Sequence, residues 1–332
     1  MARVSIIGGG AFGTAMACVV ARSGHEVTMW AREADVVASI NGEHANPHFL
    51  PGVALAPGIR ATEDLAQAAS GGDLVLMAVP AQHVRAIAGA MRPALRRGTI
   101  VVGCSKGIER GSCALMPEVL ADMLPEAAIA ILSGPSFAKE IATDLPCGVV
   151  LASADWSAAE EAARHIANPH FCVHLSDDVV GTALGGVMKN VVAIASGIAH
   201  GRKLGENARA TIVTLGLEES VRLGLAKGAK AETFLGLAGA GDFMLTANSL
   251  QSRNTSLGVA LGEGRKLADV LAGRKQVTEG AFSAEAAAAL ARSLHVEMPI
   301  TDALDALLNR GEDLDAAMGR FLHHLPPLYR AG

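Results

Sequence analysis

At 332 residues the chain exceeds what one hydrophobic core ordinarily fills, so two domains are expected. Half of the residues are hydrophobic and only 3% are aromatic, so the core is built from Ala, Val, Leu and Ile, which suits helices and buried parallel strands. The net charge is -5 and the basic residues are scattered rather than run together, which gives nucleic acid or an anionic membrane surface no electrostatic hold; neither is expected as a partner.

The first half alternates short β-branched or apolar runs with Ala-rich segments of helix length. The runs are "RVSII" (3–7), "EVTMW" (26–30), "DLVLMAV" (73–79), "TIVVG" (99–103), "AIAIL" (128–132), "CGVVLAS" (147–153) and "FCVHL" (171–175). That alternation predicts βαβ units, hence an α/β class with a Rossmann-like doubly wound sheet. After about Ser176 the strand signal stops. Segments 177–200, 206–226, 252–262, 279–294 and 299–308 read as helices, so residues 1–178 are expected to bind a dinucleotide and residues 179–332 to form an all-α domain.

The five cysteines, Cys18, Cys104, Cys113, Cys147 and Cys172, form no CxxC pair and sit among apolar neighbours, as small core residues of a reducing cytoplasm would. The N-terminal apolar run is too short for a signal peptide, and no uninterrupted apolar stretch is long enough to insert stably in a bilayer. His170 and His174 share a strand face, but no HxxxH with a third ligand accompanies them, so no metal site is expected. An Ala/Gly-rich helical domain often dimerises, which makes a homodimer the candidate assembly.

The stretch "GGGAFG" places Gly8, Gly10 and Gly13 directly after strand 3–7, opening a helix with Ala11 and Phe12. The first glycine allows the tight turn, the second lets backbone N–H groups approach a pyrophosphate at the positive helix end, and the third permits close packing of helix on strand. At the end of the second strand, "WARE" puts Arg32 where an NAD site usually carries an acid, which favours a 2′-phosphate and hence NADP(H); Glu33, one residue on, leaves NAD(H) open.

Four polar clusters interrupt the apolar settings. Lys106 in "CSKGIE" and Gly134, Pro135 and Ser136 in "SGPSFAKEIA" each follow a strand at its carboxyl end, where open α/β sheets bind ligands. In "LGGVMKNVVAIASGIA" (184–199), Lys189 sits amid a segment apolar enough for a core. Gly181, Gly185, Lys189, Ala193, Ser196, Gly197 and His200 share one helix face, so the ammonium looks out from a face of small residues, where a lysine can exchange a proton with a carbonyl oxygen. The bland alternative is a lysine that snorkels to solvent or pairs with a distant carboxylate. In "GLAGAGDFMLTANSLQSRN" (236–254), Asp242 is the single acid, and Ser252, Arg253 and Asn254 open a helix in the manner of a phosphate clamp. Ser252 or Asn254 as an ordinary helix cap, with Arg253 on the surface and Asp242 as a cap, remains the competing reading.

These segments together resemble the bacterial NAD(P)-dependent glycerol-3-phosphate dehydrogenases over essentially the full length of the chain: "GGGAFGTAMA", "CSKGIE", "SGPSFAKEIA", "GGVMKNVVAIASGIAHG", "GAGDFMLT", "QSRN" and "VEMPITDAL" occur in the family's order and spacing. The resemblance implies that Lys189 exchanges a proton with the C2 oxygen of the substrate. It implies that Lys106, Gly134, Ser136, Asp242, Ser252, Arg253 and Asn254 bind substrate. On the cofactor side it implies Gly8, Gly10, Ala11, Phe12, Gly13, Arg32, Lys106, Ala138, Arg253, Val277 and Glu279. The product would feed phospholipid synthesis. Two positions depart from the family: Ala247 stands where a cysteine is frequent and Leu215 where an arginine is. Two-domain dehydrogenases of the 3-hydroxyacid or 6-phosphogluconate type place Lys and Asn one helical turn apart, whereas Asn190 here directly follows Lys189. A redox sensor that binds NADPH without turnover would need neither an inward lysine nor a phosphate clamp.

Overall fold

The computed structural model describes residues 1–272 and 279–323. The chain forms two compact units, one of Met1–Lys106 with Ala114–Ala183, the other of Gly107–Cys113 with Leu184–Gly332. This division differs in two places from the expected boundary after residue 178. It falls one turn inside a helix, and a short segment directly following Lys106 belongs with the second unit.

The first unit runs β1 (Arg3–Ile7), α1 (Ala11–Arg22), β2 (Glu26–Trp30), α2 (Ala34–Glu43), β3 (Ile59–Thr62), α3 (Leu65–Gly71), β4 (Leu74–Met77), α4 (Val84–Met91), β5 (Ile100–Gly103), α5 (Met116–Met123), β6 (Ala128–Ser133), α6 (Ala138–Ala142), β7 (Cys147–Ser153), α7 (Trp156–Ile166) and β8 (Phe171–Ser176). The strands lie in one sheet of order β3-β2-β1-β4-β5-β6-β7-β8. All seven strands anticipated from the sequence are present. β3 was not anticipated, because its four residues, IRAT, include an exposed arginine and carry almost no apolar signal. Pairing is parallel except between β6 and β7, which run antiparallel, so the sheet is mixed at that point. From β1 through β6 the carboxyl ends share one edge, and the order reverses between β1 and β4, where doubly wound sheets bind ligands.

Strands β1 and β4 are almost fully buried, as the continuous apolar runs require once helices cover both faces. The cysteines follow this less uniformly than their neighbours suggested: Cys18 and Cys104 are buried, but Cys172 is exposed on the edge strand β8. Burial pushes the Cys104 thiol up to about 12, leaving it a neutral core residue.

The second unit contains, among the described residues, helices and no strand ladder: the greater part of α8 (Val179–Gly201), then α9 (Glu206–Ala226), α10 (Asp242–Asn248), α11 (Arg253–Gly262), α12 (Leu267–Ala272), α13 (Glu279–Ser293), α14 (Pro299–Asn309) and α15 (Leu314–His323). By length and composition α8 could cross a membrane, but 83% of its apolar window is buried inside the protein. Glycines explain how a helix can be buried all round. A Cβ at Gly197 would stand 2.2 Å from Thr255 O, and one at Gly258 would stand 2.1 Å from Ile194 O. Gly201 and Gly262, one turn further on, repeat the relationship, so α8 and α11 touch backbone to backbone. The small-residue face of α8 is therefore a packing surface.

Candidate active site

In the first unit Gly8 and Gly13 take the tight-turn and close-packing positions expected of them. Gly8 has φ +126, and a Cβ there would meet Ala78 O at 2.7 Å; a Cβ at Gly13 would lie 2.0 Å from Gly8 O. Neither position admits a side chain. At Gly10 an added Cβ finds no protein atom within 4 Å, so the glycine there keeps a surface open rather than relieving a clash inside the protein. Gly10 caps α1 without a side-chain hydrogen bond, and the first turn holds no acid, which leaves a positive helix end suited to an anion. These features fit a dinucleotide pyrophosphate. Ala11, Phe12 and Ala138 pack against the core of this unit. Arg32 is exposed and turns onto Glu33, with Nη2 to Oε1 at 2.8 Å, so the two residues that favour NADP and NAD respectively form one ion pair.

Lys106 lies three residues beyond the end of β5, and Gly134 follows the end of β6. Lys106 Nζ donates to Gly134 O at 3.0 Å and Ser136 Oγ donates to the same oxygen at 2.8 Å. Three residues singled out separately in the sequence thus converge on one carbonyl. Gly134 has φ +134 and a Cβ there would press on Val149 Cα at 3.0 Å, so the turn demands glycine.

In the second unit Lys189 is 9% exposed and Asp242 is fully buried, and Nζ donates to Asp242 Oδ1 at 2.5 Å. The lysine does not snorkel; it pairs with a carboxylate 53 residues away, which is the second form of the competing reading. Its partner comes from the start of α10, directly after one turn of π-helix, Leu237–Gly241, whose backbone approaches α8 closely; a Cβ at Gly185 would lie 2.2 Å from Ala238 O. Thr246, one turn along α10, donates its hydroxyl to Asp242 Oδ1 at 3.3 Å.

Beside this pair, Asn254 Nδ2 donates to Asn190 Oδ1 at 2.9 Å, and Asn254 Oδ1 accepts from Gly280 N at 3.1 Å. Asn254 is buried, and Arg253 is exposed at the first position of α11. Ser252 caps that helix, its Oγ accepting from Thr255 N at 3.2 Å, which is the capping role weighed against substrate binding; the hydroxyl hydrogen remains to be donated. Glu279 begins α13, next to Gly280. Val277 lies outside the described residues. Asn190 and Thr246 were not assigned from the sequence. The first was noted only as the neighbour of Lys189, and the i,i+4 spacing of Thr246 from Asp242 is a signal that could have found the second. Of the two departures from the family pattern, Ala247 is buried with its carbonyl accepting from Ser196 Oγ at 3.0 Å, and Leu215 is half-buried on α9. Among the described residues no cluster of three metal-ligating side chains occurs.

A family profile described as NAD-dependent glycerol-3-phosphate dehydrogenase N-terminus matches residues 3–159, and one described as the C-terminus of the same enzyme matches residues 178–319. Glycerol-3-phosphate dehydrogenase [NAD(P)+] of Caulobacter vibrioides is 50% identical over 320 residues, covering 96% of each chain. Its namesake from Parvibaculum lavamentivorans is 48% identical over the same length and coverage. The crystal structure of glycerol-3-phosphate dehydrogenase from Coxiella burnetii superposes with a TM-score of 0.93 at 36% identity, covering 97% of this chain and 98% of that one. Two profile matches that together span nearly the whole sequence, with relatives about half identical end to end, establish that this chain belongs to the NAD-dependent glycerol-3-phosphate dehydrogenase family.

Proposed function

We propose that the chain interconverts dihydroxyacetone phosphate and sn-glycerol 3-phosphate with NADP(H) or NAD(H), Lys189 serving as the general acid and base. The buried Lys189–Asp242 pair carries this reading. An ammonium held at 2.5 Å by a fully buried carboxylate has one direction, and a proton donor with a fixed direction is what a carbonyl oxygen needs as it takes on charge.

A bound nicotinamide supplies the hydride equivalent when the substrate is reduced. Gly8, Gly10, Ala11, Phe12 and Gly13 would hold the dinucleotide, with Arg32, Lys106, Ala138, Arg253, Val277 and Glu279 as its further contacts. Lys189 gives its Nζ proton to the C2 oxygen in reduction and takes it back in oxidation. Asp242 orients the ammonium, and Thr246 steadies the carboxylate oxygen that does so. Arg253 offers planar donors to the substrate phosphate, with Asn254 and the Ser252 hydroxyl beside it at the helix start. Lys106, Gly134 and Ser136 complete the substrate contacts. Placing the reacting atoms by a phosphate clamp lowers the entropic part of the barrier.

The product would supply phospholipid synthesis, in the cytoplasm, and a homodimer is the assembly we favour on the Ala/Gly-rich composition of the helical unit. The decisive assay follows loss of reduced-nicotinamide absorbance with dihydroxyacetone phosphate, repeated with NADPH, with NADH and with unphosphorylated dihydroxyacetone. Turnover that requires the phosphate supports the assignment. Equal rates with and without it would refute the clamp, and no turnover with either cofactor would refute the reaction.

A further inference from the structure

The loop between α2 and β3 belongs to no motif recognised in the sequence, yet it places a fully buried amide against the glycine turn. Asn46 Nδ2 donates to Gly9 O at 2.8 Å and lies 2.8 Å from Thr14 Oγ1; Thr14 Oγ1 in turn reaches Gly9 O at 3.4 Å. The other end of the amide is also used, since Asn46 Oδ1 accepts from Phe49 N at 3.2 Å. The loop itself is anchored: Leu50, Val53 and Leu55 are buried in the core, Leu50 N donates to Asn46 O at 2.8 Å, and Leu55 N donates to His44 O at 2.8 Å. Asn46 is thus built in from both sides, 37 residues along the chain from the carbonyl it holds.

Gly9 C=O and Gly10 N–H belong to one peptide plane. In a trans peptide the two bonds point in opposite directions, and the partial double bond resists any twist between them. Drawing Gly9 O inward onto Asn46 therefore turns the Gly10 N–H outward, beside the position where a Cβ would meet nothing within 4 Å. Glycine peptides turn more freely than others, so a turn built of "GGG" needs an outside hold if that N–H is to face a ligand before the ligand arrives.

We infer that Asn46 is a positioning residue for the cofactor, fixing the Gly9–Gly10 peptide so that its N–H is preset to bind a dinucleotide pyrophosphate. The inference rests on the reading that the Gly8–Gly13 turn holds that group. It assigns a cofactor-affinity role to a residue outside the glycine turn, acting through the Gly9 carbonyl, and it assigns Thr14 as the secondary hold.

The test measures dissociation constants for NADPH and NADH by calorimetry, and melting temperatures, for wild type and three variants. Asn46→Ala is expected to weaken both dinucleotides about tenfold, the value of one preset hydrogen bond. Ser153→Ala removes two part-buried hydrogen bonds elsewhere in the same unit, Ser153 Oγ to Ile129 O at 2.7 Å and Asp155 N to Ser153 Oγ at 3.2 Å, and is expected to lower the melting temperature while changing affinity less than about twofold. Should Asn46→Ala not fold, Thr14→Val decides, with an expected loss of about threefold. Asn46→Ala or Thr14→Val binding like wild type, or Ser153→Ala weakening affinity as much as Asn46→Ala, overturns the inference. If wild type binds neither dinucleotide, the reading of the turn itself falls and takes the inference with it; if wild type binds and the variants bind equally well, only the role of Asn46 falls.

Discussion

Lys189 Nζ and Asp242 Oδ1 stand 2.5 Å apart, 53 residues distant in sequence, with the carboxylate fully buried. The pair explains why an ammonium sits within an apolar helix: its desolvation is offset by a counter-charge delivered on another helix. Breaking such a pair leaves one charge uncompensated and costs about 3–5 kcal/mol, so stability and chemistry are entangled at this position. Lys189→Arg separates them. It keeps the cation and is expected to lower kcat by at least about a hundredfold while leaving NADPH affinity within about twofold, because proton transfer depends on Nζ and the nucleotide turn is built from residues of the other unit. Steady-state rates paired with calorimetric affinities check this, and a variant with near-wild-type kcat would end the acid–base assignment.

The two glycines of the nucleotide turn should behave oppositely. Gly13→Ala drives a Cβ to within 2.0 Å of Gly8 O and is expected to destabilise the fold by about 1–3 kcal/mol or more. Gly10→Ala meets no protein atom within 4 Å, in a backbone conformation that alanine accepts, so its melting temperature should barely move. Its dinucleotide affinity should fall at least about tenfold, because the methyl group occupies the space the pyrophosphate needs. Melting curves with and without NADPH distinguish the two, and a Gly10→Ala protein that binds normally would show that this glycine is not at the ligand.

Arg253 is exposed, whereas its neighbour Asn254 is buried and doubly hydrogen bonded. Arg253→Ala is therefore expected to raise KM for dihydroxyacetone phosphate about tenfold to a hundredfold, the value of one or two charge-assisted hydrogen bonds, with little loss of stability. Unphosphorylated dihydroxyacetone should be unaffected. Equal impairment of both substrates would move Arg253 out of the phosphate site.

Glu219 on α9 is buried, and its carboxylate accepts from Ile300 N at 2.6 Å, Thr301 N at 3.2 Å and Thr301 Oγ1 at 2.8 Å at the start of α14. Burial pushes this carboxyl up from 4.5 to about 7, and those hydrogen bonds only partly oppose it. A raised folded-state value means that the native state holds a proton the unfolded chain has released. Stability from this group is complete below about pH 4.5 and is lost as pH rises through about 7, by an amount on the order of 3 kcal/mol. Urea midpoints measured between about pH 5 and about pH 8 should decline more in wild type than in Glu219→Gln, and parallel profiles would refute the assignment.

The sequence by itself determined the elements and the chemistry that each carries locally. Parallel-sheet strands read as apolar runs because both their faces are covered, the turn after β1 reads as glycines because three of its positions, Gly8, Gly9 and Gly13, admit no Cβ, and Lys189 stood out because charge is rare in a helix that apolar. β3 escaped notice because it is four residues long and partly exposed, whereas β7 was legible as a strand and only its antiparallel direction was not, because a strand's direction in a sheet leaves no mark on its composition. Only the tertiary structure decided which distant groups meet. The pairing of Lys189 with Asp242, of Asn190 with Asn254, and of Asn46 with Gly9 spans 53, 64 and 37 residues respectively. Spacing along one helix or strand constrains neighbours on that element alone. Contacts between elements depend on how closely backbones approach, and here glycines at the α8–α11 contact and at the π-helical turn set that distance.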